Sequence, residues 1–170
     1  MSVVKPSTDE ELKQRELVEQ RVKALQEMGI CPTCQNLDSV YGPFTGRLYY
    51  EDKYVLLFLD DYPRNPGHSI LLTKHHYEDL SEMPLELGTH ILKVTQAAIQ
   101  ALKEVADAEK VYFITMCDGK RNHLHFQLLP RVNTESLRGF DVFLKRRGVL
   151  VRDDTLLSNL NKAVTKALSE

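Results

Sequence analysis

Between Asp9 and Met28 the apolar residues Leu12, Val18, Val22 and Leu25 fall near one helical face, with charges between them and Gly29 placed as a C-cap. That spacing predicts a helix over 9–28. From Cys31 through Pro43 to Gly46 no period holds, and the segment reads as a turn-rich connection. Two extended runs follow, Arg47–Glu51 and Tyr54–Asp60, with Asp52-Lys53 as a hairpin turn between them. Tyr62-Pro63-Arg64-Asn65-Pro66-Gly67 must be a loop, because its prolines and glycine interrupt either kind of backbone ladder. His68–Thr73 then returns as a strand.

From Pro84 to about Ala106 the period becomes helical. Leu87, Ile91, Val94, Ala98, Leu102 and Val105 recur at intervals of three and four and predict one buried stripe. Lys110–Met116 and His123–Arg131 read as two strands joined around Asp118-Gly119. The tail carries two further helical patterns, Ser136–Arg147 and Asp154–Leu168, and in the second Leu156, Leu157, Leu160, Val164 and Leu168 form a docking face. Strands and helices in mixed order with short hairpin links predict an α+β fold with a mostly antiparallel sheet.

Composition narrows the classes. At 170 residues the chain is the size of a single domain. Lys plus Arg number 22 against 24 Asp plus Glu, a net charge of −2, so nothing provides the basic surface of a general nucleic-acid binder. No apolar run approaches the roughly 20 residues that cross a bilayer, and no membrane partner is expected. The start, MSVVKPSTDEELKQRELVEQ, is too acidic and polar for a secretory signal. Three cysteines, an odd number, argue against a disulfide framework. The expectation is a cytoplasmic protein.

The chemistry concentrates in Asn122-His123-Leu124-His125-Phe126-Gln127-Leu128-Leu129-Pro130-Arg131. Strand alternation places His123, His125 and Gln127 on one face, about 7 Å apart, with Leu124, Phe126 and Leu128 on the other. A row of two imidazoles and an amide is costly to bury without partners. Upstream, the rigid loop ending in His68 delivers another imidazole to the mouth of a strand. Cys31-Pro32-Thr33-Cys34 is compatible with half of a zinc site completed by His75, His76 or His123, with a redox pair, or with two buried thiols.

Together these segments resemble the histidine-triad (HIT) superfamily of nucleotide hydrolases and transferases, over about residues 31–131. Cys31-Pro-Thr-Cys34 is similar to the cysteine pair of its zinc-containing members. Tyr50–Asp60 followed by Pro63-Arg-Asn-Pro-Gly-His68 is similar to its strand, ribose-binding acid and P-G-H loop. Lys74-His-His-Tyr-Glu-Asp-Leu80 resembles its lysine-histidine segment, and His123–Arg131 resembles the triad strand. Gln127 stands where many members carry a third histidine, as in the branch with galactose-1-phosphate uridylyltransferase and the diadenosine tetraphosphate phosphorylases. The segment Met116–Asn122 is shortened, with Gly119 and Lys120 where the family pattern has glutamine and serine.

The resemblance implies a five-stranded antiparallel sheet with a long packed helix, and a homodimer joined through that helix and an edge strand. It implies a HIT-like domain over 31–131, an N-terminal helical extension over 1–30 and a C-terminal one over 132–170. His125 would be the nucleophile and Gln127 its neighbour at the phosphate. Asp60, His68, Lys120 and Arg121 would hold the nucleotide, and Cys31, Cys34, His76 and His123 a structural zinc. Cys117, His75 and His90 receive no role, with His90 at the surface; the basic run Lys145-Arg146-Arg147 is read as facing solvent at a helix end, with contact to a polyphosphate as the alternative. The activity implied is nucleotidyl hydrolysis or transfer at the α-phosphate of a nucleoside polyphosphate, such as a dinucleoside polyphosphate, or of a phosphoramidate. The altered loop before His123 favours a second reading, a nucleotide-binding regulatory or scaffold protein with little turnover.

Overall fold

The run Val55-Leu56-Leu57-Phe58-Leu59 has no polar position, and all five residues are buried, which requires a sheet covered on both faces. In the computed structural model, which describes residues 3–38, 42–117, 121–132 and 136–170, this run is a central strand. The elements in order are β1 (Val3–Pro6), α1 (Asp9–Glu27), α2 (Pro32–Asp38), a 3₁₀ turn (Gly42–Arg47), β2 (Leu48–Glu51), β3 (Val55–Leu59) and β4 (Ser69–Thr73). There follow a 3₁₀ turn (Leu80–Glu82), α3 (Leu85–Val105), β5 (Ala108–Ile114), β6 (His125–Val132), α4 (Asp141–Leu144), β7 (Gly148–Val151) and α5 (Asp154–Ser169). Strands β2-β3-β4-β6-β5 form one sheet in that order, and β1 pairs with β7 in a second. Every pairing is antiparallel. The expected α+β architecture, with five antiparallel strands and a long helix, is the one observed.

Alternation divides the sheet. On one face Tyr49, Val55, Leu57, Leu59, Leu71, Phe126 and Leu128 pack with Ile91, Val94, Ala98 and Leu102 of α3 and Leu156, Leu160 and Val164 of α5. On the other, Leu56, Phe58 and Leu72 pack under Leu37 and Phe44, and Leu129 packs under Val142 and Phe143. His125 and Gln127 lie between these two small clusters, because His125 pairs with Leu72 and Gln127 with Ile70.

Several local expectations change. Cys31–Gly46 contains α2 and a 3₁₀ turn rather than turns alone; Pro32 occupies the first helical position, where its missing N–H is harmless. Helix α1 spans nearly the predicted residues but buries none of them, and Val18 is 60% exposed. It is held at its ends instead, by a capping box of Thr8 and Glu11 and by Gln26 Nε2 donating to Arg121 O at 3.0 Å. The helix expected over Ser136–Arg147 shrinks to α4, since Gly139 has a φ of +56° and the chain beyond Leu144 turns onto the loop before His68. Gly148–Val151 then becomes a strand paired with Val3–Pro6. Asp118-Gly119 lies outside the described residues.

Candidate functional site

Strand β6 begins at His125, two residues later than the sequence pattern predicts. His123 and Leu124 precede the ladder because Leu124 N donates to Tyr77 O (2.8 Å) and Leu124 O accepts from Thr73. The departure turns His123 out of the row with His125 and Gln127. Its Nε2 donates to Thr73 O at 2.7 Å; a carbonyl only accepts, so the proton is on Nε2 and Nδ1 carries the lone pair. Nδ1 lies 3.5 Å from both Cys31 Sγ and Cys34 Sγ. Burial pushes the His123 imidazole down to about 4, keeping it neutral.

His76 Nδ1 lies 3.3 Å from Cys34 Sγ, and the four donor atoms of Cys31, Cys34, His76 and His123 lie within 4.8 Å of one another. A tetrahedral ion with bonds of about 2.3 Å to sulfur and about 2.0–2.1 Å to nitrogen separates N and S by about 3.5 Å. The observed N···S spacings fit that geometry. Thr73 O supplies the outer-shell acceptor that orients a metal-bound imidazole. Burial first, then the adjacent Cys31, pushes the Cys34 thiol up to about 11 without a cation. His75, the alternative ligand, turns instead to Tyr77, ring edge to face at 4.9 Å.

On the open face His125 Nδ1 donates to His123 O at 2.9 Å. The same argument puts the proton on Nδ1 and leaves Nε2 with its lone pair and, among the described residues, no protein partner. Two strand positions on, Gln127 Oε1 is 3.3 Å from His68 Nε2. His68 is fully buried, and burial, reinforced by Arg147 and Arg64, pushes it down to about 4 against the pull of Asp60. Neutral, it accepts Arg64 N–H at Nδ1 (3.4 Å) and donates from Nε2 to Gln127. That bond fixes the amide so that its NH₂ group remains the donor. Gly67 makes the approach possible. Its φ is +78°, and a Cβ there would lie 2.9 Å from Leu102 Cδ2.

Asp60 Oδ1 accepts from Tyr62 N at 2.9 Å and Oδ2 from Arg147 Nη1 at 3.0 Å. Burial would raise its carboxyl, but His68 and Arg147 hold it below the usual carboxylate range. With His68 neutral, Arg147 is the cation that keeps it ionised. Arg147, expected to face solvent, thus enters the site; Lys145 Nζ likewise reaches Asn65 Oδ1 at 2.6 Å, and Arg146 binds Ser7 O and Asp9. The sequence marks this basic run but not its partners, which lie about 80 to 140 positions away. Arg121 is engaged elsewhere, by Glu78 (2.9 Å) and Gly29 O (3.1 Å), not by His125 or Gln127. Lys120 lies outside the described residues. His90, expected at the surface, is half-buried and pairs with Asp52 at 2.7 Å.

His125, the oriented amide of Gln127 and the buried His68–Asp60–Arg147 group lie together on one antiparallel sheet. The HIT domain matches residues 44–134, more than half of the chain, and the protein belongs to the HIT family. It is 33% identical over 107 residues to an uncharacterised HIT-like protein of Methanocaldococcus jannaschii, covering 60% of this chain and 79% of that one. It is 29% identical over 91 residues to an adenosine 5′-monophosphoramidase of Saccharomyces cerevisiae, covering 51% of this chain and 54% of that one. The crystal structure of a Zn-bound histidine triad family protein from Mycobacterium smegmatis superposes with a TM-score of 0.62 at 26% identity, over 80% of this chain and 94% of that one.

Proposed function

We propose that the protein is a nucleotidyl hydrolase or transferase acting at the α-phosphate of a nucleoside polyphosphate or phosphoramidate. The observation that carries this reading is the hydrogen bond from His125 Nδ1 to His123 O, which aims a lone pair on Nε2 at the open face of the sheet. Nε2 attacks the α-phosphorus, a P–N bond forms, and the bond to the leaving group breaks with its electron pair on the departing atom. Water or a phosphate oxygen then attacks the same phosphorus, the P–N bond breaks with its electron pair returning to Nε2, and any proton on the attacking oxygen passes to solvent. Splitting one displacement into two easier ones is the advantage of a covalent intermediate. Gln127 donates its amide N–H to a non-bridging oxygen, and Asp60 accepts from the ribose while Arg147 keeps it ionised. A neutral amide gives less help to proton transfer than a third histidine, which favours transfer over hydrolysis.

Mixing the protein with an α-labelled dinucleoside polyphosphate and quenching in acid-free denaturant tests this. Labelled protein should appear in wild type and be absent in His125→Ala, and added inorganic phosphate should collect most of the label. Stoichiometric binding with no labelled protein and no turnover would instead favour the regulatory reading.

Zinc is the metal we assign to Cys31, Cys34, His76 and His123. When bound it ties the start of α2 to the approach of β6, so it positions His125 through His123 O rather than taking part in the displacement. Protein purified without added metal should carry one zinc per chain by elemental analysis, and Cys31→Ala should lose it; metal-free wild type would end the assignment. Arg121, bound to Glu78 and Gly29 O, then serves the metal side of the molecule, and the nucleotide contacts rest on Asp60 and Lys120, with His68 acting through Gln127. The chain is also proposed to pair as a homodimer through α3 and the edge strand β5. Leu80, Leu85, Leu92 and Phe113 are exposed there and line one apolar cavity.

A further inference from the structure

A cavity flanked by basic side chains lies away from His125 and Gln127. It has a volume of about 290 Å³ and is bounded by residues 4–7, at and just past the end of the first strand, residues 64–66 of the loop before His68, and residues 145–148. Both of its terminal walls lie outside the matched 44–134 region, and the β1–β7 pairing brings them together. Lys5, Arg64, Lys145, Arg146 and Arg147 line it, and none of the described residues that line it is acidic.

The carboxylates that meet these cations sit outside the lining. Glu11 takes Lys5, Asp9 takes Arg146 and Asp60 takes Arg147. Among the described residues Arg64 has no carboxylate partner. Its Nε donates to Phe143 O at 2.6 Å, and its Nη1 is buried with no hydrogen-bond partner among them. Leaving a guanidinium donor buried and unmet is expensive, and the neighbouring Arg147 adds repulsion. Desolvation first and Arg147 second pull the Arg64 guanidinium down to about 10. Arg147 spends only Nη1 on Asp60 and on Tyr62 O. A multivalent anion relieves all of these at once, meeting the orphaned donor and screening the two guanidiniums. At roughly 30 Å³ per water the cavity holds about ten water volumes, room for more than one phosphate group.

We propose that this cavity is an oligophosphate-binding site, distinct from the one at His125 and built by the two terminal extensions around Arg64. The same phosphate chemistry arrives from two sources, a free inorganic oligophosphate or the distal phosphates of a nucleotide. The site stands whether or not His125 is a nucleophile.

Isothermal titration of the full-length protein with tripolyphosphate, at fixed ionic strength, tests the site. Wild type should bind it at least tenfold more tightly than orthophosphate. K145Q/R146Q should weaken tripolyphosphate at least tenfold, while the charge-preserving K145R/R146K stays within threefold, which separates lost charge from lost folding. K162Q/K166Q removes two exposed lysines of α5 and should change nothing, and His125→Ala should bind as wild type does. Equal binding by K145Q/R146Q and wild type overturns the proposal. Equal weakening by K162Q/K166Q, loss of binding in His125→Ala, or no binding by wild type at millimolar concentration does so as well. Adenosine mono- and triphosphate identify the source. If K145Q/R146Q weakens only the triphosphate, the cavity takes the nucleotide's tail. If it leaves both unchanged while weakening tripolyphosphate, the cavity takes a free chain. Either result upholds the site.

Discussion

His68 is the residue on which the polar side of the site turns. It is buried without charge, and its two nitrogens connect Arg64 N–H to Gln127 Oε1. The folded value near 4 lies below the unfolded value of about 6.5. Between those limits the unfolded chain binds the extra proton, so stability falls as the pH is lowered, by up to about 1.4 kcal/mol per unit. Above about 6.5 the contribution is fully present. Asp60, also held low, acts in the same sense at more acid pH. Denaturant midpoints measured from pH 7 to pH 5 should fall in wild type and fall less steeply in His68→Asn, where His123 keeps the remaining slope; an unchanged slope in the variant would contradict this. The protonation logic of His125 was legible at this scale, since a backbone acceptor for one nitrogen is what a nucleophilic imidazole needs. The turn of His123 away from its row was not, because a hydrogen bond to Tyr77 O, far from strand β6 in sequence, decides it.

Among the elements, the long helix, its stripe and the central strands follow from period alone, since each buries a face whose spacing is local. The β1–β7 ribbon does not. Val3–Pro6 and Gly148–Val151 are four residues each, too short to declare themselves, and each becomes a strand only by meeting the other. Gly148 is the tight point: a Cβ there would run into Val4 Cγ1 and come within 2.7 Å of Lys5 O. Gly148→Ala should therefore force the ribbon apart, at a cost of about 1–3 kcal/mol. For a chain of this size that lowers Tm by about 2–4 °C per kcal/mol. Limited proteolysis should then reach the first ten residues sooner than in wild type. A variant with the wild-type Tm and cleavage rate would show that the ribbon is not a constraint. Because Arg147 precedes Gly148, opening the ribbon should also loosen its bond to Asp60.

For the whole molecule, the extensions are part of the working structure. Helix α5 closes the core against α3, and the segment from Phe143 to Leu150 clasps the loop before His68 through Phe143 O, Lys145, Arg147, Gly148 N and Leu150 N. Among the described residues no helix is long and apolar enough to cross a membrane. The exposed apolar patch on α3 and β5 has another use in the proposed dimer. Leu92 is 58% exposed, so Leu92→Lys should leave the fold intact. Light scattering should give twice the chain mass for wild type and the single mass for the variant; a monomeric wild type would sink the dimer.

The sequence by itself determined the α+β class, the central strands and long helices, the Cys31-Cys34 pair and the positions of His68, His125 and Gln127. Those features arise from periods, turns and motifs within a few residues, where backbone geometry is set locally. Only the tertiary structure decided that His123 leaves the row of His125 and Gln127, that Arg147 reaches Asp60 across 87 positions, and that residues 4–7 and 145–148 close on one cavity. Each is a contact between distant segments. Its formation depends on which surfaces the packed sheet and helices bring together, and no local pattern encodes that.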